Sequence, residues 1–558
     1  MNRLVNRRIR LLLVALTITF GGLLLRATWL QGVRAASLSQ LGQTQHREAV
    51  ALPATRGTIY DRAGVELGLG ERATTVYANP KQIQNPRAAA LAVERTLGLD
   101  ANRLYPLLAD RTHGFVYVER QADPAQATAL KRLKLQGFGF YPEEQRNYPQ
   151  RSVAAQVLGY VGIDGNGLAG LELQFDPSLA GHAGKETIVK DPTGHVLDVQ
   201  HELPERPGRD VFLTLDHSIQ ANAEEVLRAT VRKWNAKSAS AIVLDPRTGA
   251  VLAMAVQPGY DANRYPSAAR DLQRNRTVTD TYEPGSTFKL ITVAAALSTH
   301  LVSPSTRFTL PYSLKVADRV IHDAEQRSTV NYSVAQILAH SSNIGAIELA
   351  QMLGRTRLSA WISRFGFGRT TGIDFPGESP GIVLPPDKWS GSTIGNVPIG
   401  QGIAVTPVQM AAAYAAIANR GVWSRPHLVD HVAGGGRPSL YHRRLVSPRI
   451  AAELMLMLKD VVAEGTGQYA AMPGYQVAGK TGTAQKPDSH GGYATGRYVA
   501  SFVGIVPASR PRLVILVTVD EPLGAIWGGV VAAPAFQEIA RFDLQYLEVP
   551  PDDLPSLH

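Results

Sequence analysis

The chain has 558 residues, 44% of them hydrophobic, which suits two to four folded units better than one. Its net charge of +10 includes Arg3, Arg7, Arg8 and Arg10, and no stretch interleaves basic and aromatic side chains, so no nucleic-acid partner is expected. With no cysteine, it has no disulfide, thiolate metal site or cysteine nucleophile.

Residues 11–25 (LLLVALTITFGGLLL) form an uncharged apolar run. Extended to Leu30, it reaches the ~20 residues needed to cross a hydrocarbon core. Arg26 then snorkels to the outer interface and Trp29 joins the aromatic belt. An arginine spoils Val33-Arg34-Ala35-Ala36 as a signal-peptide cleavage site. Residues 11–30 are expected as an uncleaved transmembrane helix. The arginines hold residues 1–10 as a cytoplasmic tail and send the rest outside the cytoplasm.

Residues 31 to about 50 read as a polar helix leaving the membrane. Arg56-Gly57-Thr58-Ile59-Tyr60-Asp61-Arg62-Ala63-Gly64 punctuates short strands. Helical spacing follows over 85–136, then Gly- and Pro-rich short strands over 137–205. A new unit starts near Pro207-Gly208. Residues 211–215 predict a strand, and Asp216 an N-cap for a helix over 217–234. ASAIVLD and AVLAMAV predict a hairpin turning at Asp245-Pro246-Arg247-Thr248-Gly249. Helices are predicted over 286–298, 331–352, 356–364 and 406–419. Three strands (YQVAGKTGTAQ, YVASFVGIVP, RLVILVTVD) and a helix over 531–544 close the unit. Residues 308–330 and 430–445 carry no pattern, and 547–558 is expected to be a disordered tail. Strands, a helical insert, strands and a closing helix describe an α/β unit, an antiparallel sheet with helices on both faces.

Three short motifs carry chemistry. In Glu283-Pro284-Gly285-Ser286-Thr287-Phe288-Lys289, Pro284 and Gly285 break the chain before an apolar helix. Ser286 then sits at the helix start, and Lys289 lies one turn on along the same face. Burial lowers a lysine pKa, and a neutral amine beside a hydroxyl is a competent base. Ser341-Ser342-Asn343 offers a hydroxyl and a carboxamide on a short loop. Lys480-Thr481-Gly482-Thr483 closes a strand, with Thr481 and Thr483 on one face and Gly482 admitting a close backbone approach. Ideal alternation puts Lys480 on the opposite face. Such an edge strand suits a peptide added as a further strand. Singly, each motif also reads as an N-cap, a helix turn or a hairpin turn.

Together, in this order, Ser-x-x-Lys, Ser-x-Asn and Lys-Thr-Gly resemble the penicillin-binding protein and β-lactamase superfamily. The resemblance covers nearly the whole chain. It is closest to class B penicillin-binding proteins, with an anchor, a non-catalytic pedestal and a transpeptidase domain. RGTIYDRAG, Arg146, and Gly170 with Glu172 resemble pedestal motifs. The stretch RNRTVTDTYEPGSTFK, with Glu283, resembles the division-specific FtsI-like branch. The chain shows neither a glycosyltransferase signature nor a β-lactamase-type Glu loop.

The resemblance implies a pedestal of the dimerisation type over 31–206 and a transpeptidase domain over 207–546, containing an all-helical subdomain. It implies Ser286, Lys289, Ser341 and Lys480 as catalytic residues. The N–H groups of Ser286 and Thr483 form the oxyanion hole, and Asn343, Thr481, Gly482 and Thr483 bind substrate. No metal or cofactor is expected. The implied partners are peptidoglycan stem peptides ending in D-Ala–D-Ala, β-lactams, and an FtsW-like glycosyltransferase with other divisome membrane proteins. The implied setting is septal wall synthesis at the inner membrane, with the catalytic domain periplasmic. Elongation- or sporulation-type transpeptidation, a D,D-carboxypeptidase and a non-catalytic scaffold stand as alternatives.

Overall fold

The computed structural model describes residues 2–34, 47–52, 54–190, 196–437, 439–488 and 491–553. Contacts divide the chain into two compact units, Met1–Thr55 with Gly181–Gly208, and Arg56–Ala180 with Arg209–His558.

In the first unit, helix α1 (Asn2–Thr28) runs into a π-helical turn, Trp29–Val33. It therefore starts well before Leu11, and the basic residues expected as a tail form its first turns. Val5–Gly32 has a mean hydropathy of 1.9 and no buried share. Thr17, Thr19 and Thr28 each donate a hydroxyl to the carbonyl four residues back, at 2.8 Å, so these groups need no partner in lipid. Arg26 and Arg34 lie over the Trp29 ring, at 5.0 and 4.5 Å from its centroid. Arg47–Leu52, Gly184–Lys190 and Val196–Leu203 form an antiparallel three-stranded sheet. The helix expected over residues 31–50 falls mostly outside the described residues.

The second unit holds two larger sheets. One combines Ile59–Tyr60, Glu66–Ala78, Val116–Ala122 and Phe138–Asn147 with Val211–Leu213 and Val429–Val432. Ile59–Tyr60 pairs in parallel with Val211 and Phe212. One sheet thus joins strands from both sides of the boundary expected at 206/207, while the compact units themselves part between Gly208 and Arg209. Beneath it lies an ion network. Arg56 Nη2 reaches Glu172 at 2.7 Å and its Nη1 reaches Asp176 at 2.7 Å. Arg146 Nε reaches the other Glu172 oxygen at 2.6 Å. The three pedestal-like motifs therefore meet on one fully buried carboxylate.

The other sheet is antiparallel throughout. Its strands are β1 (Ser238–Leu244), β2 (Val251–Gln257), β3 (Ala478–Pro487), β4 (Tyr493–Val506) and β5 (Leu513–Asp520), in the order β2-β1-β5-β4-β3. Every residue of β1 and β2 is buried, as continuous apolar runs require when helices cover both faces. Helices α2 (His217–Trp234) and α7 (Ala533–Tyr546) pack on one face. Helices α3 (Lys289–Ser298), α5 (Pro407–Ala418) and α6 (Pro448–Ala463) belong to the other. Asp216 caps α2, accepting from Ser218 N at 3.0 Å.

Two further expectations change. The helix expected over 331–352 is a strand (Val330–Ser333), a short helix (Val334–Ala339) and the start of α4 (Asn343–Phe365), which runs on through 356–364 with a break at Gly354. Ser333 with Gln336 forms a capping box and Ser342 caps Gly345 N, so each serine starts a new helix. The tail is not disordered over 547–553. The Val549 side chain is buried and its carbonyl accepts from Tyr475 Oη at 2.6 Å, while Asp552 accepts from Gln476 N at 2.8 Å. Residues 554–558 lie outside the described residues.

Candidate active site

The turn Gly285–Phe288 leads into α3 and rests against β3. Gly285 has φ +54°, and a Cβ there would meet the Thr483 carbonyl oxygen at 2.8 Å. A Cβ on Gly482 would meet the Pro284 oxygen at 2.8 Å and Ser501 Oγ at 2.4 Å. Glycine at both positions is what lets the serine turn and the strand touch.

Lys289 is 1% exposed. Its Nζ lies 3.0 Å from Ser286 Oγ, 3.2 Å from Ser341 Oγ and 2.7 Å from Asn343 Oδ1, and also bonds the Ser341 carbonyl. Burial lowers its pKa to about 7, partly opposed by the charge of Asp323. Near neutrality much of this amine carries a free lone pair beside the Ser286 hydroxyl.

Ser341 adopts φ +57°, a costly conformation for a serine. Its neighbours hold it there. Ser342 Oγ donates to the Asp323 carboxylate at 3.1 Å, and Asn343 N and Ile344 N donate to Asp323 Oδ1. Arg327 Nε grips the other oxygen at 3.0 Å. Asn343 Nδ2 donates to the His322 carbonyl at 2.8 Å. Sequence reasoning missed Asp323 and Arg327. They lie in the patternless 308–330, which folds into small hairpins, and Asp323 meets its partners 19 to 21 residues away.

Lys480, on edge strand β3, is fully buried. Burial first, and then the positive charge of Lys289, push its pKa well down, so the two amines share one electrostatic site. Lys480 does not simply point away from the threonines. Its Nζ lies 3.4 Å from Thr481 Oγ1, because four methylenes let the amine curl back. Thr481 Oγ1 pairs with Thr466 Oγ1 at 2.7 Å. Thr483 Oγ1 accepts from Gly528 N at 3.1 Å, leaving its O–H free to donate.

The fold therefore joins Ser286, Lys289, Ser341 and Asn343 by direct hydrogen bonds, Gly482 and Thr483 by backbone packing, and Lys480 through its field. The arrangement pairs a hydroxyl with a base beside an open sheet edge, the geometry of acyl transfer.

Residues 239–541 match the family described as "Penicillin binding protein transpeptidase domain", and residues 51–213 match "Penicillin-binding Protein dimerisation domain". The chain is 31% identical to the peptidoglycan D,D-transpeptidase FtsI of Escherichia coli, over 99% of this chain and 94% of that one. It is 32% identical to the stage V sporulation protein D of Bacillus subtilis, over 99% and 87% respectively. The crystal structure of penicillin binding protein 3 from Mycobacterium tuberculosis superposes with a TM-score of 0.71 at 31% identity, covering 90% of this chain and 98% of that one.

Proposed function

From the premise that the chain belongs to the class B penicillin-binding proteins, the FtsI-like peptidoglycan D,D-transpeptidases, we propose how its residues divide the reaction. Ser286 attacks the carbonyl of the D-Ala–D-Ala bond in a donor stem peptide, and Lys289 takes its proton. The N–H groups of Ser286 and Thr483 hold the oxyanion. Terminal D-Ala leaves, protonated through Ser341 with Lys480 nearby. An amine of a neighbouring stem peptide then attacks the ester, releases Ser286 and forms the cross-link. Asn343 holds the substrate amide. Lys480 with the Thr481 and Thr483 hydroxyls binds the donor carboxylate, and Gly482 admits the donor backbone to the edge of β3.

The observation that carries this reading is the 3.0 Å contact between Ser286 Oγ and a buried lysine whose pKa lies at about 7. Intact-protein mass spectrometry after penicillin treatment tests it. Wild type gains one penicillin, mapped to the peptide holding Ser286, and Ser286→Ala gains none. An adduct on the alanine variant removes the assignment.

We further propose septal synthesis as the setting. The helix Asn2–Thr28 anchors the chain in the inner membrane with its basic end cytoplasmic, and an FtsW-like polymerase and other divisome membrane proteins are its partners. The FtsI relative and the stretch before Ser286 support this reading. The sporulation relative, at 32% identity against 31% for FtsI, makes a sporulation role the specific alternative. Depletion should give filaments with blocked septa; normal division with defective spores would favour the alternative.

A further inference from the structure

Residues 430–445, patternless in the sequence, bring His442–Arg444 against Val422–Ser424 as a two-stranded antiparallel ribbon. Arginines tie this ribbon to the C-terminal end of α4. Arg443 Nη1 donates to the Arg364 carbonyl at 2.7 Å, and Arg364 Nε donates to the Leu445 carbonyl at 2.6 Å. Arg444 Nη1 donates to the Arg420 carbonyl at 3.0 Å, just beyond α5. Arg425 lies 5.3 Å from the centre of the Tyr441 ring, and the charge of Arg369 reaches Arg443.

Among the described residues these side chains bond carbonyls or cover aromatic rings, and none forms an ion pair. Arg364 stands over Trp361 at 5.0 Å and Arg443 over Trp423 at 4.9 Å. Carbonyls satisfy the N–H groups but leave the charges uncompensated. The acids of the adjoining loops are taken by backbone. Asp374 accepts from Leu428 N at 2.7 Å and Val429 N at 2.9 Å, and Glu378 accepts from Thr371 N at 2.6 Å. Burial lowers the Arg443 pKa; Tyr441 partly opposes this, and the like charges of Arg364 and Arg369 add to it. Arg56 and Arg146 meet their carboxylate on Glu172, whereas this patch holds like charges together without one among the described residues.

We propose that this patch docks a carboxylate-rich segment of another polypeptide. Its cations are all arginine, whose planar fork matches a carboxylate with two hydrogen bonds. The carbonyl ties and ring faces fix three of the forks in advance, which favours a partner of defined geometry over a diffuse charged surface. Leu440 and Tyr441, 43% and 49% exposed, add apolar contact beside the charge. Arginine with tryptophan and tyrosine is the composition of protein-binding hot spots, whereas a phosphate surface needs the charge alone. The patch lies at the opposite end of α4 from Asn343, so penicillin acylation of Ser286 reports the fold of each variant independently of docking.

The test uses the full chain in nanodiscs of uncharged lipid and reads the fluorescence anisotropy of a labelled octaglutamate. Arg369→Gln combined with Arg425→Gln removes two charges whose side chains donate no hydrogen bond among the described residues, and should raise Kd about tenfold. Arg364→Gln combined with Arg443→Gln should raise it at least as much; if that variant does not fold, the first pair decides. Arg87→Gln combined with Arg103→Gln removes the same charge from exposed helices elsewhere and should change Kd less than about twofold. Wild type that does not bind the peptide overturns the proposal, as does an equal loss in the control pair. Tighter binding of inorganic polyphosphate of equal charge would assign the patch to phosphates and overturn it too.

Discussion

The molecule buries charge in two regions of opposite character. Around Glu172 every charge has its opposite, since Arg56 and Arg146 each bond one carboxylate oxygen and Arg56 also takes Asp176. Around Ser286, two lysines are buried with no carboxylate among the described residues in contact, and the nearby Asp323 is already gripped by Arg327. The matched network holds charge in place and fixes the packing of distant segments. The unmatched pair holds its protons less tightly, which is what the proposed base role of Lys289 requires near neutral pH. Similar burial thus rigidifies one region and makes the other reactive, according to whether the counter-charge is present.

Removing the unstable amine should have the largest effect. Lys289→Met keeps the side-chain volume and loses the base, so penicillin acylation of Ser286 should fall about 10²–10⁴-fold while thermal unfolding stays cooperative. A variant that acylates at the wild-type rate would mean that the proton leaves by another route.

Unmatching the matched region comes next. Glu172→Gln takes the carboxylate from Arg146 and leaves Arg56 with Asp176 alone, and should cost about 3–5 kcal/mol, read from the urea midpoint. Acylation per folded molecule should be retained. A loss below ~1 kcal/mol would show that the network contributes little.

The smallest effect lies where the regions resemble each other, at Asp323. Asp323→Asn should slow acylation about tenfold, because the Ser341–Asn343 turn loses its tie. It should also move the acid limb of the pH–rate profile to lower pH, since the Asp323 charge holds the Lys289 pKa up. A slower rate on an unmoved profile would leave Asp323 a positional role alone.

Much of this was legible in the sequence, for local reasons. Ser286 and Lys289 are one helical turn apart, so spacing alone put them on one face. The strands on either side of the 286–419 insert were readable as apolar runs. Asp323 was not legible, because it acts on residues about twenty positions later through a hairpin with no periodic signature. The direction of Lys480 was not legible either, since alternation fixes Cβ but not an amine four methylenes further out. The sheet that ties residues 59–60 to 211–213 was hidden by the turn residues between them, which mark the end of a strand but not the partner of the next.

The central claim is that burial makes Lys289 the base for Ser286, and the pH dependence of wild-type acylation tests it most directly. With a penicillin whose own charge does not change between about pH 5 and 9, the rate should rise about tenfold per pH unit and level off near pH 7, as the ammonium loses its proton. A rate that is flat across that range, or still climbing towards the 10.5 of an ordinary lysine, would contradict it.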